Sequence, residues 1–166
     1  MRFHTAILLL ILPFSAIGGE KRVLCDSCVL NGHLRDTNMT SFVIKVEDAL
    51  YSPPLFKDVV AWQGSTPGTP PNRATCMVTL RIGGIAVFIP YSAYADLGNP
   101  DIPNGVSLTQ GENALNLYIR GGEDANAYIA KFVVVNGKLT KRELVPANST
   151  DSAPQVMTFN GNVKLR

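Results

Sequence analysis

Charge is scarce in this chain. Asp, Glu, Lys and Arg make up 17% of its 166 residues, and no run of Lys and Arg gathers into a patch. That excludes the basic surface needed for nucleic acid or an anionic membrane. Histidine is scarcer, with only His4 and His33 present. A Ser-His-Asp hydrolase would have to use one of them, and no serine lies in a Gly-x-Ser-x-Gly setting. No apolar stretch reaches the roughly 20 residues of a membrane span. No hydrophobic period of 3.6 residues is sustained, which excludes a long amphipathic helix. No internal repeat occurs, and no motif asks for a cofactor. With so little charge, the surface is covered either by Asn, Thr, Ser and Gly, or on one face by a partner.

The amino-terminal residues have the order of a secretory signal peptide. Arg2 and His4 lead, Ala6 to Pro13 form an apolar run, and Ala16 and Gly18 supply small side chains for cleavage. The expectation is a signal peptide at residues 1–18 and a single β domain over 19–166, secreted or periplasmic, with no span left after cleavage. Removing Arg2 leaves fourteen basic against thirteen acidic residues, a near-neutral domain.

What is abundant is strand signal. Phe42, Ile44 and Val46 alternate with Val43, Lys45 and Glu47. Cys76, Val78, Leu80 and Ile82 alternate with Thr75, Thr79 and Arg81. Gly83-Gly84 then predicts a hairpin into Ile85–Ile89, because glycine accepts positive φ at both turn positions. Leu115–Arg120, Tyr128–Val135 and Leu139–Val145 continue the pattern. Asn136-Gly137 and Asn160-Gly161 are further two-residue turns, the second between Val156–Phe159 and Val163–Leu165. Ser92–Leu97 is the one short helix candidate, with Ser92 as cap and Gly98 as stop. Gln63–Arg73 and Asn99–Gly105, rich in proline and glycine, read as loops. The predicted fold class is all-β: an antiparallel β-sandwich or partly open barrel of seven to nine strands, with at most one short helix.

Three cysteines cannot all pair within one chain. In an oxidising compartment the disulfide candidates are Cys25, Cys28 and Cys76. A bridge from Cys25 or Cys28 to Cys76 would close a loop of about 50 residues and add up to about 4 kcal/mol in the chain-entropy picture. A local Cys25–Cys28 bridge is the alternative. Cys25-x-x-Cys28 also raises redox exchange, but no βαβ unit follows it. Cys25, Cys28, His33 and Cys76 together offer the thiolate and imidazole set of a tetrahedral metal.

Carboxylate catalysis needs two acids at about 5–9 Å. Glu47, Asp48, Asp96, Asp101, Glu123 and Asp124 are candidates, and spacing selects no pair among them. Asp96, Asn99, Asp101 and Asn104 could ligate calcium, although turn formation explains them without a metal. Tyr51, Trp62, Tyr91 and Tyr94 flank the loops and form a candidate binding surface for a protein or glycan partner.

Two stretches carry a resemblance. Phe88-Ile89-Pro90-Tyr91-Ser92-Ala93-Tyr94-Ala95-Asp96-Leu97-Gly98-Asn99-Pro100, and Ile119 to Tyr128 followed by Lys141-Arg142-Glu143, resemble a set of small secreted bacterial all-β proteins of uncharacterised function. The resemblance spans residues 85–145, and Glu123 is an insertion relative to that set's Gly-Gly-Asp-Ala turn. It implies a bacterial, exported origin and a β fold, and it transfers no activity. The functional expectation is therefore a non-catalytic binding or envelope-associated protein. The alternatives are a small exported hydrolase using carboxylates, and a thiol or metal protein using the Cys-x-x-Cys pair.

Overall fold

Alternation becomes architecture in two antiparallel meanders. In the computed structural model, which describes residues 25–149 and 152–159, the first sheet runs in chain order through β1 (Cys25–His33), β2 (Ser41–Leu50), β3 (Arg73–Ile82) and β4 (Ile85–Val87). The second runs through β5 (Val106–Gln110), β6 (Leu115–Gly121), β7 (Tyr128–Val135), β8 (Lys138–Pro146) and β9 (Gln155–Thr158). The all-β class and the sandwich layering are as the sequence predicts. The signal peptide at 1–18, the Asn160-Gly161 turn and the strand at 163–165 lie outside the described residues. Among the described residues, no helix is long and apolar enough to cross a membrane.

The inner faces supply one core. Ile44, Val46, Val78 and Leu80 from the first sheet meet Leu117, Ile119, Ala130 and Phe132 from the second. The outer faces hold short ion pairs instead, Lys45–Glu47 at 2.5 Å on the first sheet and Lys131–Glu143 at 3.0 Å on the second. The predicted turns close as their residue types require. Gly83 and Gly84 have φ of +56° and +80°, and Asn136 and Gly137 have +51° and +71°.

Two bulges break the simple alternation. Glu47 pairs with Met77 and Asp48 with Thr75, so Cys76 is the extra residue and is partly exposed, outside the buried row of Val78 and Leu80. On the second sheet Val133 pairs with Lys141 and Val134 with Leu139, making Thr140 the extra residue. Its hydroxyl donates to the Val133 carbonyl at 3.0 Å. The phase change places Leu139, Arg142 and Leu144 among the buried residues, so an arginine enters the core.

The predicted helix at Ser92–Leu97 is a single 3-10 turn over Tyr91–Ala93, without a side-chain cap. The chain after it is held by the sheets. Leu97 and Asn99 exchange backbone bonds with the start of β3, through Thr75 N to Leu97 O at 2.9 Å and Asn99 N to Arg73 O at 2.7 Å. Gly122 N then donates to Asn99 O at 2.9 Å, linking the segment to the end of β6.

Candidate functional site

At this end of the sandwich the chain makes its longest excursion, the loop 51–72 between β2 and β3. Tyr51 N donates to Asn72 O at 2.9 Å and closes the neck. The Asn99 side chain fastens the returning strand: its Oδ1 accepts from Asn72 N and Arg73 N at 3.0 and 3.2 Å, and its amide donates to Gly64 O at 3.2 Å. Gln63 is pinned on both sides, by Gln63 N to Asp96 O and Gly98 N to Gln63 O, each 2.9 Å.

Trp62, one residue before that anchor, is the only tryptophan in the chain. Its ring meets Tyr51 edge-on, with centroids 5.6 Å apart at 90°, and Phe56 at 5.5 Å and 72°. Phe56 is buried and stacks on Tyr51, so the indole stands on an aromatic base rather than on mobile side chains. It is itself half-buried.

Trp62 lines two clefts. One, of about 410 Å³, runs between the loop and the β7 and β8 strands, with Gln63, Ser65, Asn126, Ser152 and Gln155 as polar lining and Tyr128 and Leu144 as apolar lining. The other, of about 440 Å³, lies on the loop itself among Val60, Thr66 and Pro67. Among the described residues neither lining contains a charged side chain. The first cleft sets the aromatic surface beside amides and hydroxyls, whereas the second is mostly apolar, with Thr66 as its one hydroxyl. That chemistry suits a neutral ligand rich in hydroxyl groups.

Beneath the first cleft lies a buried polar knot. Arg142 is 4% exposed. It donates to both oxygens of Asp96, one at 2.9 Å through Nη2, and to the Ala93 carbonyl at 3.1 Å through Nη1. Tyr128, 2% exposed, stands beside the pair, and neither its hydroxyl nor Arg142 Nε has a hydrogen-bond partner among the described residues. Burial, reinforced by the Asp96 charge, pushes the Tyr128 phenol far above its ordinary range.

The backbone here is packed against itself. A Cβ on Gly64 would come 2.5 Å from Gly98 O and 2.6 Å from the Tyr128 ring, and one on Gly121 2.6 Å from the Tyr128 hydroxyl. Gly64 and Gly122 also have φ of +79° and +76°. Only glycine fits this crossing of three segments.

Of the predicted binding aromatics, Tyr51 and Trp62 are brought together. Tyr91 and Tyr94 form a separate edge-on pair at 5.6 Å. Tyr91 is exposed and donates to Leu55 O at 3.1 Å, whereas Tyr94 is 8% exposed and belongs to the core. Phe56, Asn126 and Gln155 are not in the predicted set. They converge from positions about 70 and 30 residues apart, and no local spacing marks them.

The cysteine and metal candidates are spread over the first sheet. Cys28 pairs with Val46 and Cys76 lies at the β3 bulge, so β2 separates them. Two strand spacings put them roughly 10 Å apart, beyond disulfide reach. Cys25 and Cys28 are three positions apart on one extended strand, again roughly 10 Å. No Sγ–Sγ pair forms among the described residues. The Cys28 thiol is buried, and burial raises its pKa. His33, exposed at the far end of β1, stands five positions from Cys28, roughly 17 Å. No group of three His, Cys, Asp or Glu side chains gathers among the described residues.

Two of the candidate carboxylates are held in buried ion pairs. Asp48, 2% exposed, accepts from Arg73 Nε at 2.8 Å and Nη2 at 2.6 Å, and Asp96 is held by Arg142. The oxygens of Asp96 and Asn99 that a calcium ion would need are already engaged by Arg142 and by backbone N–H groups. No protein-family model, curated protein or solved structure matches the chain.

Proposed function

We propose that this is an exported, non-catalytic binding protein whose recognition surface is the Trp62 loop, and that its ligand is a neutral glycan. The observation that carries the reading is one indole, set on Tyr51 and Phe56, shared by an uncharged polar cleft and a mostly apolar one. A sugar ring offers C–H groups to an aromatic face and hydroxyls to Gln63, Asn126 and Gln155 at the same time. An anionic or cationic ligand finds no counter-charge among the described lining residues. A carboxylate hydrolase would want two acids in one cleft, one with a raised pKa. The Asp36 and Glu143 carboxyls are displaced downward, by hydrogen bonds from Thr40 and from Lys141 and Lys131. Export rests on the leader-like order of residues 1–18.

The test is direct because Trp62 is the only indole. Titration of the protein with a panel of neutral oligosaccharides should shift or quench its tryptophan emission saturably for at least one member. Trp62→Ala should abolish binding, followed by calorimetry, while leaving the circular dichroism unchanged. Absence of any heat or emission change up to millimolar sugar would refute the reading. Release of reducing ends from the bound sugar would replace it with hydrolysis.

A further inference from the structure

Sheet edges expose unpaired N–H and C=O groups and recruit other strands unless they are blunted. Among the described residues this fold blunts three of its four edges by shortness. β4 has three residues, β5 five and β9 four. On β3, which β4 covers only at Leu80–Ile82, the opposite end at residues 73–75 is capped by the segment 97–99, through Thr75 N to Leu97 O and Asn99 N to Arg73 O. The end of β5 is covered by the β1–β2 loop, where Arg35 N donates to Gln110 Oε1 at 2.6 Å.

The remaining edge, β1, is nine residues long. Among the described residues, Asp26 near its start is its one charged side chain other than the terminal His33, and the rest of the usual protections are missing. Its sequence, Cys-Asp-Ser-Cys-Val-Leu-Asn-Gly-His, has no proline, lysine or arginine. Its register with β2 is continuous from Cys25↔Ala49 to His33↔Ser41, without a bulge. Asp26 sits near one end, within 3.2 Å of Arg73. At the centre Val29 is 53% exposed, and Val43 on the neighbouring strand is 42% exposed.

We propose that β1 pairs with β1 of a second copy, antiparallel about a two-fold axis at Val29, joining two four-stranded sheets into one of eight strands. The strand is suited to its own copy. In this register Val29 faces Val29, Cys28 faces Leu30, Ser27 faces Asn31 and Asp26 faces Gly32, so inward residues stay inward and no like charges meet. A parallel pairing would set the two Asp26 carboxylates side by side. The antiparallel one separates them by six positions, roughly 20 Å. An isologous contact of this kind closes at two copies, and the joined sheet then ends on both sides in the three-residue β4. The Trp62 loop lies outside it, so the proposal stands or falls apart from the glycan reading.

Sedimentation velocity on the mature chain from about 1 to 200 μM should show a concentration-dependent dimer. Val29→Lys and Val29→Glu, at an exposed position, should each keep the fold and weaken self-association at least about tenfold, because each sets like charges opposite one another. Mixing the two variants in equal amounts should restore the dimer through a Lys–Glu pair. A wild-type chain that stays monomeric throughout, or a dimer untouched by both substitutions, overturns the proposal. So does a mixture that fails to re-associate while its folded components remain monomeric.

Discussion

Removal of the Asp96 carboxylate should be among the most damaging single changes in this protein, and more damaging than removal of its partner. Asp96→Ala leaves the Arg142 guanidinium charged, with its side chain 5% exposed and two hydrogen bonds lost. An uncompensated buried charge costs about 3–5 kcal/mol. For a domain of this size, that corresponds to a fall in melting temperature of about 10 °C. Arg142→Met is a different perturbation. It keeps the apolar stem and leaves a carboxylate whose side chain is 21% exposed, within reach of water. The principal loss is then the donor to the Ala93 carbonyl and part of the packing, about 1–3 kcal/mol. The double variant carries neither charge and should be more stable than Asp96→Ala alone, a coupling of at least about 1 kcal/mol. Urea unfolding at pH 7, followed by Trp62 emission and by circular dichroism, measures all three. An Asp96→Ala protein within about 1 kcal/mol of the wild type, or an Arg142→Met protein less stable than Asp96→Ala, would refute the reasoning.

Two other perturbations test the same end of the fold. Gly64→Ala, which meets Gly98 O and the Tyr128 ring, should cost about 2–5 kcal/mol. Gly68→Ala, at φ +81° with nothing within 4 Å, should cost only about 1 kcal/mol; equal losses in thermal denaturation would count against the crossing. Tyr128→Phe removes a hydroxyl that has no partner among the described residues, so at pH 7 it should be neutral or stabilising by up to about 1 kcal/mol. The sign with pH follows from burial raising the Tyr128, Tyr94 and Tyr91 phenols. The folded state favours the protonated phenol, so that contribution is complete below about pH 10, where unfolded tyrosine ionises, and is lost as pH rises beyond it. Melting temperatures between pH 8 and 11 should fall less steeply for Tyr128→Phe, and an unchanged slope would remove the argument.

Local signals carried the sheets and stopped at the places where distant segments meet. Gly83-Gly84 and Asn136-Gly137 reveal their turns because two successive positive φ angles leave few residues to choose from. Phe42, Ile44 and Val46 reveal β2 because its alternation is undisturbed until the bulge. Beyond that point the period misleads. Counting alternate residues from Leu139 puts Lys141 inside, whereas the extra residue Thr140 shifts the phase and buries Arg142. Its partner Asp96 lies 46 positions away, so neither residue announces the pair. β1 was hidden for another reason. Its Cys-x-x-Cys spacing suggests a disulfide, redox or metal motif, while its use of Ser, Asn and Gly lacks the β-branched enrichment of a strand. β5 (Val106–Gln110) follows a proline-rich loop and is only five residues long, so Val106 and Leu108 are too few to mark a period. The site was half legible. Aromatic residues beside loops mark Tyr51 and Trp62, but only the tertiary fold brings in Phe56, Asn126 and Gln155.

The welded root of the 51–72 loop separates what may vary from what may not. Gly64, Gly98, Gly121 and Gly122 touch backbone to backbone, yet a few residues outward Val60 is fully exposed and Gly68 stands in open space. A loop clamped at its base and unencumbered at its crest can accept new side chains, or a longer crest, without disturbing the sandwich that carries it. This scaffold therefore offers a natural point for diversification: libraries randomised over 57–61 and 65–69 should keep folding while changing what they hold.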